Sequence, residues 1–155
     1  MHRNCQAVDA ALDAAGVPGR VRLLPEPAPT AAAAAEQLGV EVGAIANSLV
    51  FATGAAEPVL ILTSGAHRVD TARVAELLGA GSLTRASAEL VRSATGQPIG
   101  GVAPVAHPRP LRAVVDRALR EYPVVWTAGG IPHAVFPTTF DELLRLTGGV
   151  AGDVA

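Results

Sequence analysis

Hydrophobic positions along the chain follow two periods, and the switches between them mark out the elements. Cys5, Val8 and Leu12 recur at helical spacing, so residues 4–15 are expected to form a helix capped by Gly16. Val21, Leu23 and Leu24 suggest a short strand, and Pro25 and Pro29 then bracket a loop. Thr30 is a natural N-cap for an alanine-rich helix over Ala31–Leu38, which Gly39 stops. Ala46–Ala52 and Pro58–Thr63 read as two strands joined by a turn at 53–57, the clearest hairpin in the chain. The second is apolar on both faces and so belongs in the middle of a sheet. In the first, alternation puts Asn47, Leu49 and Phe51 on one face and Ser48 and Val50 on the other. Asn47 is therefore a polar group on an apolar face, either satisfied by backbone or lining a pocket.

Further along, Asp70 caps a helix over Thr71–Leu78, and Ser87 caps another that Gly96 closes. Leu111–Val115 predicts a strand, followed by a short basic helix through Arg120. Val124–Thr127 and Ala134–Phe136 predict two more strands. Thr139 and Glu142 form a capping box that opens a final helix, ended by Gly148, with a frayed tail beyond. Strands and helices are mixed without regular βαβ alternation. The pattern points to one α+β domain spanning 1–155, with an ordered core over about 4–148.

Composition narrows the chemistry. Aromatic residues make up only 3% of the chain, so the core must be aliphatic. All twelve basic residues are arginines, which excludes a lysine nucleophile or Schiff base. A single cysteine, Cys5, sits on the apolar helix stripe and cannot form an internal disulfide, which favours a reducing cytoplasm. No apolar run has membrane-spanning length, and no signal-peptide pattern opens the chain. His2, His67, His107 and His133 lack metal-ligand spacing, so neither a metal nor a cofactor is expected. Net charge is −2, yet residues 81–120 carry six arginines against Glu89 and Asp116. That block is either a solvated face or an attraction for phosphate.

Inside the basic block lies Gln97-Pro98-Ile99-Gly100-Gly101-Val102-Ala103-Pro104. Two glycines and a following proline bring no reactive side chain; they shape backbone. Such a loop is either a tight turn or a cradle whose N–H groups face an anion or a developing oxyanion.

An ordered set of motifs gives these features a context. Asn47-Ser48-Leu49-Val50-Phe51 comes first, then Arg68-Val69-Asp70, then Thr95-Gly96 with Gly100-Gly101-Val102 and Pro104. A strand ending at Asp116, then Ala128-Gly129-Gly130 and a leucine-rich helix complete it. Over residues 20–148 the chain resembles the YbaK/EbsC family of freestanding aminoacyl-tRNA deacylases, relatives of the editing domain of bacterial prolyl-tRNA synthetases.

The resemblance implies a curved, mixed, barrel-like sheet flanked by helices. It implies trans-editing hydrolysis of the ester on mischarged tRNA, such as alanine or cysteine on proline tRNA. The partners would be the acceptor end of aminoacyl-tRNA and prolyl-tRNA synthetase. On that basis Asn47, Gly100, Gly101 and His133 are the expected catalytic groups. Ser48, Arg68, Val102, Pro104, Gly129 and Gly130 would bind substrate, and Arg109 and Arg112 the tRNA backbone. Deacylases of the family carry a lysine where this chain has Asn47. The alternatives are a catalytically weakened or inactive module that binds tRNA or a synthetase, and a hydrolase of small aminoacyl esters.

Overall fold

The structure, a computed structural model, describes residues 1–155. Its elements in chain order are α1 (Arg3–Ala14), β1 (Arg22–Leu23), α2 (Ala31–Leu38), β2 (Ile45–Thr53), β3 (Pro58–Ser64), α3 (Thr71–Leu78) and β4 (Leu83–Arg85). They continue with α4 (Ala88–Thr95), β5 (Arg112–Asp116), β6 (Val125–Ala128), β7 (Ala134–Thr138), α5 (Phe140–Thr147) and β8 (Val150–Gly152). Single 3-10 turns occupy Val42–Ala44 and Arg117–Glu121, the second where a basic helix was expected. No helix is long and apolar enough to cross a membrane.

The capping residues act as the sequence predicts. Thr30, Asp70, Ser87 and Thr139 each accept the N–H three residues on, in α2, α3, α4 and α5. Each removes one of the donors that a helix start leaves unpaired. Gly39, Gly79, Gly96 and Gly148 close the same helices with positive φ.

One mixed sheet of eight strands carries the molecule, in the order β1-β7-β6-β2-β3-β5-β8, with β4 added to β2. The sheet stays open, because β1 and β8 end it. Hairpin β2–β3 is its centre, in a register that sets Asn47 opposite Thr63 and Val50 opposite Leu60. Residues 59–62 of β3 are almost wholly excluded from solvent, as a two-sided apolar strand requires. One face packs Ala46, Val50, Leu60, Leu62 and Val115 under α4 and α5. The other packs Phe51, Val59, Ile61 and Val114 under α3, and a smaller cluster around Ile45 and Val135 lies under α2. Each fully buried aliphatic side chain contributes about 1.5–3 kcal/mol, and the three phenylalanines, Phe51, Phe136 and Phe140, are buried among them.

Two departures matter. The tail is not frayed: β8 pairs in parallel with β5, Val154 is fully buried, and the Asp70 N–H donates to the Val154 carbonyl at 2.7 Å. The glycines that suggested fraying serve the return of the chain, since a Cβ on Gly149 would lie 2.6 Å from the Ala113 carbonyl oxygen. Strand β4, three residues long, carries no periodic signal and exists through its pairing with the end of β2.

Candidate active site

The pairing of β2 leaves a gap. Along one edge it runs beside β3 from Ala46 to Ala52. Its other edge is shared: β6 takes Ile45 and Ala46, and β4 takes Phe51 to Thr53. Between them, residues 47–50 have no strand partner on that side. A cavity of about 550 Å³ opens at this fork. Asn47, Ser48 and Leu49 supply one wall, Trp126, Thr127 and Ala128 of β6 another, and the start of α2 a third. The room comes from small side chains, among them Ala31, Ala34 and Ala46.

The tip of the glycine loop, Ile99 and Gly100, forms the remaining wall. Buried Gln97 holds this loop in shape. Its carboxamide oxygen accepts the Ala103 N–H at 2.6 Å, and its nitrogen donates to the Val105 carbonyl at 3.1 Å. Thr95, also buried, accepts the Gln97 N–H at 3.0 Å. His107 donates from Nε2 to the Ala103 carbonyl at 2.7 Å, and burial pushes its pKa below the ordinary histidine value. The loop is thus braced from within, and no strand pairing consumes its amides.

The two glycines at its tip differ. Gly100 lines the cavity with φ of +86°, open space where a Cβ would point, and an N–H with no partner in the chain. The Gly101 N–H is not free to serve as a second oxyanion donor in this structure. It is bound to the Pro98 carbonyl at 3.0 Å, and a Cβ on Gly101 would lie 2.5 Å from the Ile131 carbonyl carbon. Its glycine identity answers close packing between two loops.

The structure sorts the other candidates. Asn47, Ser48 and Arg68 line the cavity, and the Asn47 side chain makes no hydrogen bond within the chain. Val102 is buried beside it, at a narrow recess shared with Ser48 and Gly100. Pro104 faces a different hollow, under α1 and His107. His133 does not line the cavity, although its neighbours Pro132 and Ala134 do. A general base at His133 is therefore not supported by position. Gly129 and Gly130 pack rather than bind: a Cβ on Gly129 would lie 3.0 Å from Val21, and the Gly130 carbonyl accepts from Asn4 Nδ2 at 3.0 Å. Arg112 is tied to the Leu78 carbonyl and sits 3.7 Å from Glu57, at the far end of the hairpin from Asn47. Arg109 is exposed and does not line the cavity.

Sequence reasoning missed Arg85, Thr127 and Trp126, all of which line the cavity. Arg85 had a signal, its place in the basic block. Thr127 and Trp126 had none, since they reach the site through the parallel pairing of β6 with β2. Trp126 carries Arg22 over its ring at 5.3 Å, a cation–π contact at the rim.

Electrostatically the cavity is one-signed. Arg68 and Arg85 line it, both exposed and outside the four ion pairs of the chain. The positive end of α2 adds to them. No Asp, Glu, His or Cys is among the lining residues. The lining offers an unpaired Gly100 N–H, the Asn47 carboxamide, hydroxyls and two guanidinium groups, donors and positive charge that suit an anion or a carbonyl oxygen. It offers no side chain suited to take a proton.

Fold and site together define a one-sheet α+β protein with an electropositive, acid-free cleft at a strand fork. The aminoacyl-tRNA editing domain model matches residues 25–146, and the chain belongs to that family. A solved structure of a candidate trans-editing enzyme for prolyl-tRNA synthetase shares 42% identity, covering 99% of this chain and 98% of that one, with a TM-score of 0.92. A scaffold protein used in computational epitope grafting shares 39% identity over 99% and 97%, with a TM-score of 0.91. A hypothetical protein of known structure shares 33% over 96% and 98%, with a TM-score of 0.87. No curated protein sequence is significantly similar to the chain.

Proposed function

We propose that this protein is a trans-acting deacylase that hydrolyses the ester between a small amino acid and the terminal adenosine of a mischarged tRNA. Alanine or cysteine on proline tRNA represents the class. The single observation that carries the reading is the cavity at the β2 fork, where a free Gly100 N–H and an unpartnered Asn47 carboxamide share a wall set with unpaired Arg68 and Arg85. The arginines suit the phosphates of the acceptor end.

The chemistry follows from what the cavity holds. Water adds to the ester carbonyl carbon, and Gly100 N–H and Asn47 Nδ2–H donate to the oxygen as it becomes an oxyanion. With no protein base in the lining, the adjacent ribose hydroxyl relays the water proton. The C–O bond to the ribose then breaks, and the leaving ribose oxygen takes that proton, giving free amino acid and tRNA. Positioning in the cleft and the backbone donor supply most of the acceleration. A neutral donor at Asn47 contributes about 0.5–1.5 kcal/mol where a charged one gives about 1.5–3, roughly a tenfold difference in rate.

The test is release of alanine and cysteine from proline tRNA by the purified protein. Turnover above buffer hydrolysis is expected; none on any mischarged tRNA would refute the reading. The acid- and base-free lining favours one alternative, a module that binds aminoacyl-tRNA without cleaving it. Salt-sensitive binding without turnover, with activity gained in Asn47→Lys, would select it.

A further inference from the structure

In the whole chain only two buried side-chain polar atoms lack a hydrogen-bond partner, Ser48 Oγ and Thr127 Oγ1, and both residues line the cavity. Thr127 is 99% excluded from solvent. Buried hydroxyls are nearly always paired, so two orphans at one site call for a ligand. The register places them together. Ala46 pairs with Thr127 across β2 and β6, and Ser48 stands two residues along β2 from Ala46. Alternation puts all three on one face, with Ser48 and Thr127 as diagonal neighbours.

Beside Ser48 a recess of about 20 Å³ opens from the cavity, walled by Val50, Val91, Val102 and Ala86. It holds about one methyl or one water-sized group. Its apolar walls, Arg85 at its edge and the absence of any carboxylate make it unsuited to an ammonium group. A small neutral group that can both donate and accept one hydrogen bond fits.

Resting on the deacylase reading, we infer that Ser48 and Thr127 select the amino acid, and that the preferred side chain is serine-sized and ends in a hydroxyl. That hydroxyl accepts from one of the two and donates to the other. An alanine side chain leaves both orphaned, which discriminates by about tenfold, the worth of one buried hydrogen bond. The two residues act on choice of substrate, whereas Asn47 and Gly100 act on the ester.

The test uses uncleavable 3′-amide analogues, seryl- and alanyl-3′-amino-3′-deoxyadenosine, with binding read from Trp126, the only tryptophan, which lines the cavity. The seryl analogue is expected to bind about tenfold tighter, with the ratio falling toward one in Ser48→Ala and in Thr127→Val. Thr127→Val should also melt no lower than the parent, because an apolar isostere removes an unpaired buried group. Equal binding of both analogues overturns the inference and leaves the deacylase standing; equal weakening of both by the variants does the same, assigning the hydroxyls to the shared α-amino group. A lower melting temperature for Thr127→Val also overturns it, by showing a structural role. Seryl preference without ester cleavage supports the inference and refutes the deacylase. Failure of the seryl analogue to bind at millimolar concentration overturns the inference.

Discussion

Two of the chain's three Gly-Gly pairs, 100–101 and 129–130, lie on either side of one loop contact, and they do different things. In the first, Gly100 lines the cavity with an unpaired N–H and open space at its Cβ position, while Gly101 packs on Ile131 and Pro132. In the second, Gly129 and Gly130 are both consumed by packing, against Val21 of the β1 approach and Asn4 of α1, and the Gly129 N–H is bound to the Ala134 carbonyl. Three of the four glycines are there because another atom occupies the space of a Cβ. Gly130 also keeps an N–H without a partner in the chain, but only Gly100 lines the cavity, with open space where a Cβ would stand. A glycine pair in sequence therefore signals close approach first, and a binding site only where the approaching atom is missing.

Substitutions can break this contrast. The largest effect belongs to Gly101→Ala: its methyl would press on the backbone of Ile131, which cannot swing aside, and about 3 kcal/mol of stability should be lost in urea unfolding. Gly100→Ala meets open space and should lose only about 1 kcal/mol, from strain at positive φ. If the two lose equally, the division within the pair is wrong. Next comes Gly130→Ala, with φ of +113° and Asn4 Cβ at 2.9 Å, expected to destabilise by about 2 kcal/mol while leaving ester hydrolysis by the folded fraction unchanged. A specific loss of turnover at full folding would place the second loop in the site after all.

Asn47→Ala should slow deacylation about tenfold with stability held within about 0.5 kcal/mol, since its side chain faces the cavity unbonded. His133→Ala, beside the packing pair, should stay within about twofold of the parent rate. Reversed effects in matched kinetics would restore the histidine as the base. The smallest effect concerns pH. His107 braces the exit of the first loop, and burial lowers its folded-state pKa. Its contribution to stability is thus present above the unfolded value of about 6.5 and lost as pH falls below it, where the unfolded chain takes up the proton first. Urea midpoints at pH 7.5 and 5.5 should differ more in the parent than in His107→Gln; identical differences would remove His107 from the account.

Much of the fold was legible because the signals were local. Four helix starts were marked by residues whose own side chains accept the orphan N–H groups. Hairpin β2–β3 was marked by two apolar runs around a short turn. β4 and β8, three residues each, were not legible, because strands that short owe their existence to a neighbour's open edge. In the site, Asn47 stood out as a polar residue on an apolar face. Thr127 did not, in a run that looks like any buried strand. Arg109 and Arg112 shared a charge block with Arg85, yet only Arg85 reaches the cavity.

By itself the amino-acid sequence determined most of the elements, the largely aliphatic core, the absence of lysine chemistry and the family likeness. These depend on periodicity, capping and residue type, which act over a few positions. The tertiary structure alone decided that β2 divides its edge between β6 and β4, and so where the cavity lies and which hydroxyls, amide and arginines enter it. Strand pairing joins residues some eighty positions apart, and no local preference encodes which partner stops short.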